Sequence, residues 1–188
     1  RVLMAAADEL QAAAFTTGAG STEPTGLITA LTGGASEING TGSEALIAAD
    51  PVSLQNALPA RFSPNAKWMM HIGTLNTLAA LETTNGALRF PELAQGRLLN
   101  RPFVENSDMA SAVDINPAAT ASNFVLAYGD FNEYVIADRI GSTIEIIPNL
   151  MGANNRPTGE RGALLWFRTG GTVSTINAFR MLDVPTTA

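Results

Sequence analysis

The hydrophobic period of this chain is helical at its start and strand-like over its last third. That order narrows the fold more than any other feature. Val2 to Phe15 is rich in Ala and Leu, the strongest helix formers, with Leu3, Ala6, Leu10 and Ala13 at helical spacing. Thr16, Thr17 and Gly18 end it, and Gly18 suits a left-handed C-cap. From residue 124 onward, short apolar runs alternate with turn residues. Phe124 to Tyr128 is apolar throughout, Gly129-Asp130 turns the chain, Tyr134 and Ile136 resume it, and Thr143 to Ile147 alternates with a period of two. Asn149 to Gly159 reads as a loop. Ala163 to Arg168 and Thr172 to Ala178 read as two strands of a hairpin turning at Gly170-Gly171, and Phe179 to Val184 as a closing strand. A few helices followed by a run of strands predicts an α+β fold.

The middle is less regular. Gly18 to Asp50 carries seven glycines and predicts a long loop with a turn at Asn39-Gly40, the kind of segment that usually serves contact or function. Asp50 is expected to cap a short helix that has Pro51 in its first turn and ends near Leu58. Lys67 to Ile72 reads as a buried strand, Thr74 to Leu81 as a helix, and Asn85-Gly86 as a turn. Leu88 to Phe90 and Arg101 to Glu105 read as short strands, and Asn106 to Ser122 as a loop. No internal repeat is visible. The chain opens at Arg1 inside a helix, which predicts a fragment of a longer protein.

At 188 residues the chain can bury about 70% of its unfolded surface, so a core forms without covalent staples. Charged residues make up only 15%, against the usual quarter, which hints at surface hidden in assembly. The formal net charge is −6, and a single lysine, Lys67, stands among 11 basic residues. Nucleic-acid binders cluster Lys and Arg against phosphates, so tight nucleic-acid binding is not expected. No apolar run reaches the roughly 18 residues of a membrane span.

Chemistry-bearing constellations are sparse. With no Cys, neither a Cys/His metal site nor a Cys/His dyad can form. The one histidine, His71, lies in an apolar stretch and reads as a hydrogen-bonded, partly buried residue; no Gly-x-Ser-x-Gly elbow accompanies it. Gly18-Ala19-Gly20 follows a helix where a dinucleotide loop follows a strand, and Glu23 stands in place of the third glycine. Asp130 and Glu133 are the carboxylates a hydrolase would use; the simpler reading makes Asp130 a turn residue. Asp138-Arg139 reads as an ion pair or strand-end contact. No catalytic, cofactor or metal residue is therefore assigned, and the residues by themselves predict a structural or interaction module.

Several segments, in order, resemble the major capsid proteins of tailed bacteriophages with the Hong Kong 97 type fold. They are Gly18-Ala19-Gly20 with Pro24-Thr25-Gly26-Leu27, then Trp68-Met69-Met70 with the following helix and Gly86-x-Leu88-x-Phe90, then Leu98-Leu99-Asn100-Arg101-Pro102-Phe103-Val104 with Met109 downstream. Gly129-Asp130-Phe131 with Tyr134-Val135-Ile136-Ala137-Asp138-Arg139 follows, and Asn177-Ala178-Phe179-Arg180 closes the series. The resemblance implies that residues 1–17 end the long helix of a peripheral domain, 18–137 form an axial domain, and 138–188 return as peripheral strands. It also implies a subunit that self-assembles into the pentamers and hexamers of an icosahedral head enclosing DNA. Scaffold, maturation protease and portal proteins would be its partners, and it would assemble in the host cytoplasm and reside in the virion. Glu145 aligns with an acidic residue near the threefold contact of the type member, which makes it a candidate intersubunit contact. An encapsulin-type nanocompartment shares this fold and stays open as the alternative.

Overall fold

The computed structural model describes residues 1–42 and 44–187, apart from the side chain of Ile140. Its elements form two sheets and four helices of very different size. A 16-residue helix, α1 (Val2–Thr17), opens the chain. Three short helices follow: α2 (Leu27–Leu31), α3 (Asp50–Ala57) and α4 (Ile72–Ala79). The strands are β1 (Glu37–Asn39), β2 (Lys67–Met70), β3 (Arg97–Leu98), β4 (Arg101–Glu105), β5 (Phe124–Gly129), β6 (Tyr134–Ile147), β7 (Gly162–Val173) and β8 (Phe179–Asp183). Six of them form a mixed sheet in the order β1-β8-β5-β2-β4-β3; β6 and β7 form a separate two-stranded ribbon.

The six-stranded sheet is organised by its central strands. β8 is buried throughout, as is β5 apart from half-buried Phe124, and both read as continuous apolar runs because both faces are covered. Trp68 on β2 lies opposite Tyr128 on β5, and the two rings stack with centroids 4.2 Å apart. Such a pair adds about 0.5–1.5 kcal/mol beyond the area it buries. The Trp68 indole N–H donates to the Leu98 carbonyl at 2.8 Å and so ties the β3–β4 edge to the core.

Arg180 on β8 is buried, and its guanidinium is satisfied by oxygens that carry no formal charge. It donates to Ala57 O at the end of α3 (3.0 Å), to Ser36 Oγ (3.1 Å) and to Phe179 O (2.6 Å). The carbonyl at a helix C-terminus is a favourable partner for a cation. Burial pulls the Arg180 pKa down; the group still stays charged at physiological pH. Asp50 is fully buried as well. The sequence casts it as a helix cap, but the helix starts at Asp50 itself. Its carboxylate instead accepts from Thr41 N, Thr41 Oγ1 and Ile47 N at 2.7–2.8 Å, stapling the preceding loop.

The predicted strands at Phe124–Tyr128, Arg101–Glu105 and Phe179–Val184 are found within a residue, as are the Asn85-Gly86 turn and the two long loops. Further expectations differ from the structure. The Gly18–Asp50 segment contains α2 and β1, and Asn39 ends that strand. Leu88–Phe90 forms only an isolated bridge, between Glu82 and Leu88. Gly18 is extended, not left-handed (φ −55°); a Cβ there would strike Ala14 O and Pro24 O, so close approach explains the glycine. Gly170-Gly171 is no turn but lies inside β7, which pairs with β6 from Tyr134↔Val173 to Ile147↔Gly162. β8 pairs with β1 and β5, so residues 179–183 lie in the six-stranded sheet.

One junction joins the ribbon and α1 to that sheet. The Thr25 N–H donates to Gly171 O at 2.8 Å, and Thr25 O accepts from the Tyr134 hydroxyl at 2.8 Å. Phe15 on α1 packs edge-to-face on Tyr134, 6.1 Å between centroids. A Cβ on Gly171 would meet Tyr134 Oη at 2.6 Å and the Phe15 ring at 3.1 Å, so the glycine is the seat for both rings. Beside that contact, Asn106 Nδ2 donates to Thr16 Oγ1 at 2.8 Å. Burial raises the Tyr134 pKa and keeps its hydroxyl a donor.

Gly171→Ala is expected to lower stability by about 1–3 kcal/mol through this clash. Gly170→Ala, whose nearest new neighbour is 3.8 Å away, should leave it nearly unchanged; parallel urea melts distinguish the two. Arg180→Ala strands several buried carbonyls and should cost about 2–4 kcal/mol in the same assay. The raised Tyr134 pKa means that the native state holds the phenolic proton more tightly than the unfolded chain. Its contribution is complete below the ordinary tyrosine pKa of about 10 and is lost as pH rises through the folded pKa. Tyr134→Phe should therefore show a shallower fall in stability above pH 10 than wild type, measured by thermal melts across that range.

Candidate subunit-contact surfaces

The β6–β7 ribbon is the least self-sufficient part of the structure. It is 14 residues long on one strand and 12 on the other, and among the described residues no third strand joins it. An isolated two-stranded ribbon is marginal in water. This one also exposes apolar side chains along its length: Val135, Ile136, Ile144, Ile146, Leu164 and Trp166, with Ile146 71% exposed. The alternation that produces a sheet with one dry face is missing in Ala163–Arg168, where consecutive apolar residues supply both faces. An apolar stretch of this kind on an accessible surface marks a site of association.

The ribbon is bent by design of its register. Asp138 faces Thr169 while Ile140 faces Arg168, so Arg139 is an extra residue on β6; a second irregularity lies between Ile140 and Thr143. Bulges of this type strengthen the twist and interrupt the edge. α1 lies beside the ribbon and exposes Val2, Leu3, Met4 and Leu10. Between helix and ribbon runs a groove of about 750 Å³ lined by Leu10, Ala14, Arg139, Trp166 and Arg168 among others. A second groove, about 510 Å³, lies at the junction of α1 with β4 and the start of β6, lined by Phe15, Val104, Glu105, Asp108 and Ile136 among others.

The residues singled out from sequence fall at separate places. Glu145 is exposed on β6, opposite Leu164, between the exposed Ile144 and Ile146. Asp130 is buried; its Oδ1 accepts from Asn132 N and Nδ2 (3.1 and 2.8 Å) and its Oδ2 from Asn65 Nδ2 at 3.3 Å, the arrangement of a turn residue. Glu133 ends the short turn that Asp130 caps. His71 Nδ1 accepts the Gly73 N–H at 3.0 Å and caps α4, so this helix begins two residues before the expected Thr74 and ends at Ala79. Asp138 and Arg139 are adjacent on an exposed strand, and no ion pair links them among the described residues. Gly18-Ala19-Gly20 enters a tight loop closed by the Ala19↔Thr25 bridge. Among the described residues no group of three or more His, Asp or Glu could hold a metal, and no helix is long and apolar enough to cross a membrane.

Sequence reasoning missed the grooves beside α1, because Leu10 and Trp166 are distant in sequence and each reads as core by type. The signal that was present is the unbroken apolar run at 163–167 in a strand with nothing predicted to cover its second face.

Comparison with known proteins places this architecture. A search of curated proteins gave no match. Among solved structures, the capsid of the empty GTA particle superposes with a TM-score of 0.76 at 25% identity, over 98% of this chain and 65% of that one. A Mycobacterium phage Adephagia structure gives 0.64 at 15% identity, over 100% and 66%. A Gordonia phage Cozz structure gives 0.60 at 16%, over 94% and 58%. The chain thus spans 58–66% of the length of these neighbours. Residues 2–184 match the model of the phage capsid family, and the chain belongs to that family.

Proposed function

We propose that the protein is a structural subunit of an icosahedral phage head that self-assembles into pentamers and hexamers enclosing the DNA genome. The observation that carries this reading is the long β6–β7 ribbon, which exposes apolar residues on both faces and which no third strand joins among the described residues. Family membership and the likeness to assembled capsids support it. The six-stranded sheet, which includes residues 179–183, is the axial domain; α1 and the ribbon belong to the peripheral domain. Glu145, set among exposed isoleucines, sits in an intersubunit contact. Scaffold, maturation protease and portal proteins are the partners such a subunit requires, and it assembles in the host cytoplasm before residing in the virion.

Two other readings are weaker. The nanocompartment alternative shares the fold, but the family and the neighbours named above are phage and GTA capsids. A hydrolase built on Asp130 and Glu133 would need a free carboxylate, and both oxygens of Asp130 already accept hydrogen bonds.

Electron microscopy of the complete gene product carrying this chain tests the proposal. Closed shells with fivefold vertices are expected. Ile146→Asp with Trp166→Glu should abolish them while leaving the far-ultraviolet circular dichroism spectrum and the melting temperature close to wild type, since both side chains are exposed. A wild-type product that stays monomeric at every concentration would sink the reading.

A further inference from the structure

The two grooves beside α1 lie on opposite faces of the helix and differ in charge. Leu10, Gln11 and Ala14 line the first; Ala12, Phe15 and Thr16 line the second. The charged residues on the first are Arg139, Arg168 and Glu23, and Glu23 already accepts the Ala19 N–H of its own loop at 2.9 Å. Two exposed guanidinium groups against that one carboxylate leave the groove with a net positive charge, around an apolar centre of Leu10 and Trp166. The second carries Glu105 and Asp108 and no Lys or Arg. Its outer wall is the exposed chain at Val104 and Glu105, where β4 ends. The segregation extends along the sequence: residues 102–138 contain six carboxylates and no Lys or Arg, whereas residues 139–168 contain four arginines and two glutamates.

From this charge and apolar complementarity we infer that, in the assembly proposed above, the segment 104–108 of one copy docks in the basic groove between α1 and β7 of the next. Val104 meets the Leu10–Trp166 centre, while Glu105 and Asp108 face Arg139 and Arg168. The acidic segment and the basic groove lie on opposite sides of α1, so the contact is head-to-tail, and each copy uses one of its two faces on each neighbour. Heterologous contacts of this kind close into rings when the rotation between copies closes. The apolar centre supplies affinity. The charges fix orientation and reject other registers, because exposed ion pairs contribute only about 0.2–1 kcal/mol each.

The inference rests on the shell reading, and charge reversal separates the two. In the complete gene product, Arg139→Glu with Arg168→Glu makes both faces acidic; Glu105→Arg with Asp108→Arg makes both basic. By mass photometry at about 0.15 M salt, each variant alone should lose ring-sized oligomers at least about tenfold. An equimolar mixture should recover them, and only even-numbered rings, because the two variants must alternate. Variants that assemble like wild type, or folded variants whose mixture remains monomeric, overturn the docking. In that case wild-type shells would leave the shell reading standing, whereas a wild type without oligomers removes both. If a reversal variant fails to fold, cysteines decide on the wild-type surface, since the chain has none of its own. Gln11→Cys with Ser107→Cys should give a disulfide-linked ladder on oxidation, and its absence in assembled wild-type-like rings overturns the contact.

Discussion

The architecture depends on how one short piece of backbone is shared. Thr25 gives its N–H to Gly171 and its carbonyl to Tyr134, so a loop residue from the six-stranded sheet's side becomes an extra rung on the ribbon. The rung can form only because Gly171 has no side chain, which lets Tyr134 and Phe15 lie against the strand. Together with the Asn106–Thr16 hydrogen bond, that seat holds the ribbon and the helix against the sheet. Everything farther out on the ribbon makes few contacts with the rest of the chain, and its exposed apolar residues stay available to neighbours.

The contrast between the two sheets follows from the same economy of contacts. β5 and β8 are covered on both faces, and together with β2 they hold the three largest fully buried side chains among the described residues: Trp68 on β2, Tyr128 opposite it on β5, and Phe179 on β8. Two buried charged groups there are satisfied locally, Asp50 by loop donors and Arg180 by carbonyls and Ser36, whereas the buried Tyr128 hydroxyl has no hydrogen-bond partner among the described residues. An interior arranged this way stands alone. The ribbon does not, and a subunit that joins a self-contained body to an incomplete arm is suited to assembly, where neighbours complete what the single chain leaves open.

Much of the local structure was legible in the residues. Val125 to Tyr128 and Phe179 to Leu182 are strand-forming runs whose burial follows from composition, and α1 follows from its Ala/Leu content. Two of the errors share one cause. Glycine marks turns and close approaches alike, and only the third dimension tells them apart: Gly170-Gly171 sits inside a strand because two aromatic rings need its space, and Gly18 sits where the chain crosses α1. Asp50 before Pro51 has the signature of a cap, yet a loop nine residues upstream claims its carboxylate. The resemblance to phage capsids was carried by ordered segments such as Tyr134 to Arg139, which the structure places at the base of the ribbon where it meets the sheet.

The sequence by itself determined the α+β class, most strand positions, and the lack of cysteine-based chemistry, because these depend on residue type and on short-range period. Only the tertiary structure decided that β8 closes the six-stranded sheet between β1 and β5, that the ribbon stands apart, and that arginines and carboxylates collect on opposite faces of α1. Those features arise from pairing and packing between residues distant in sequence, some more than a hundred positions apart, such as Tyr134 with Thr25 and Arg180 with Ala57, and no local pattern encodes such a distance.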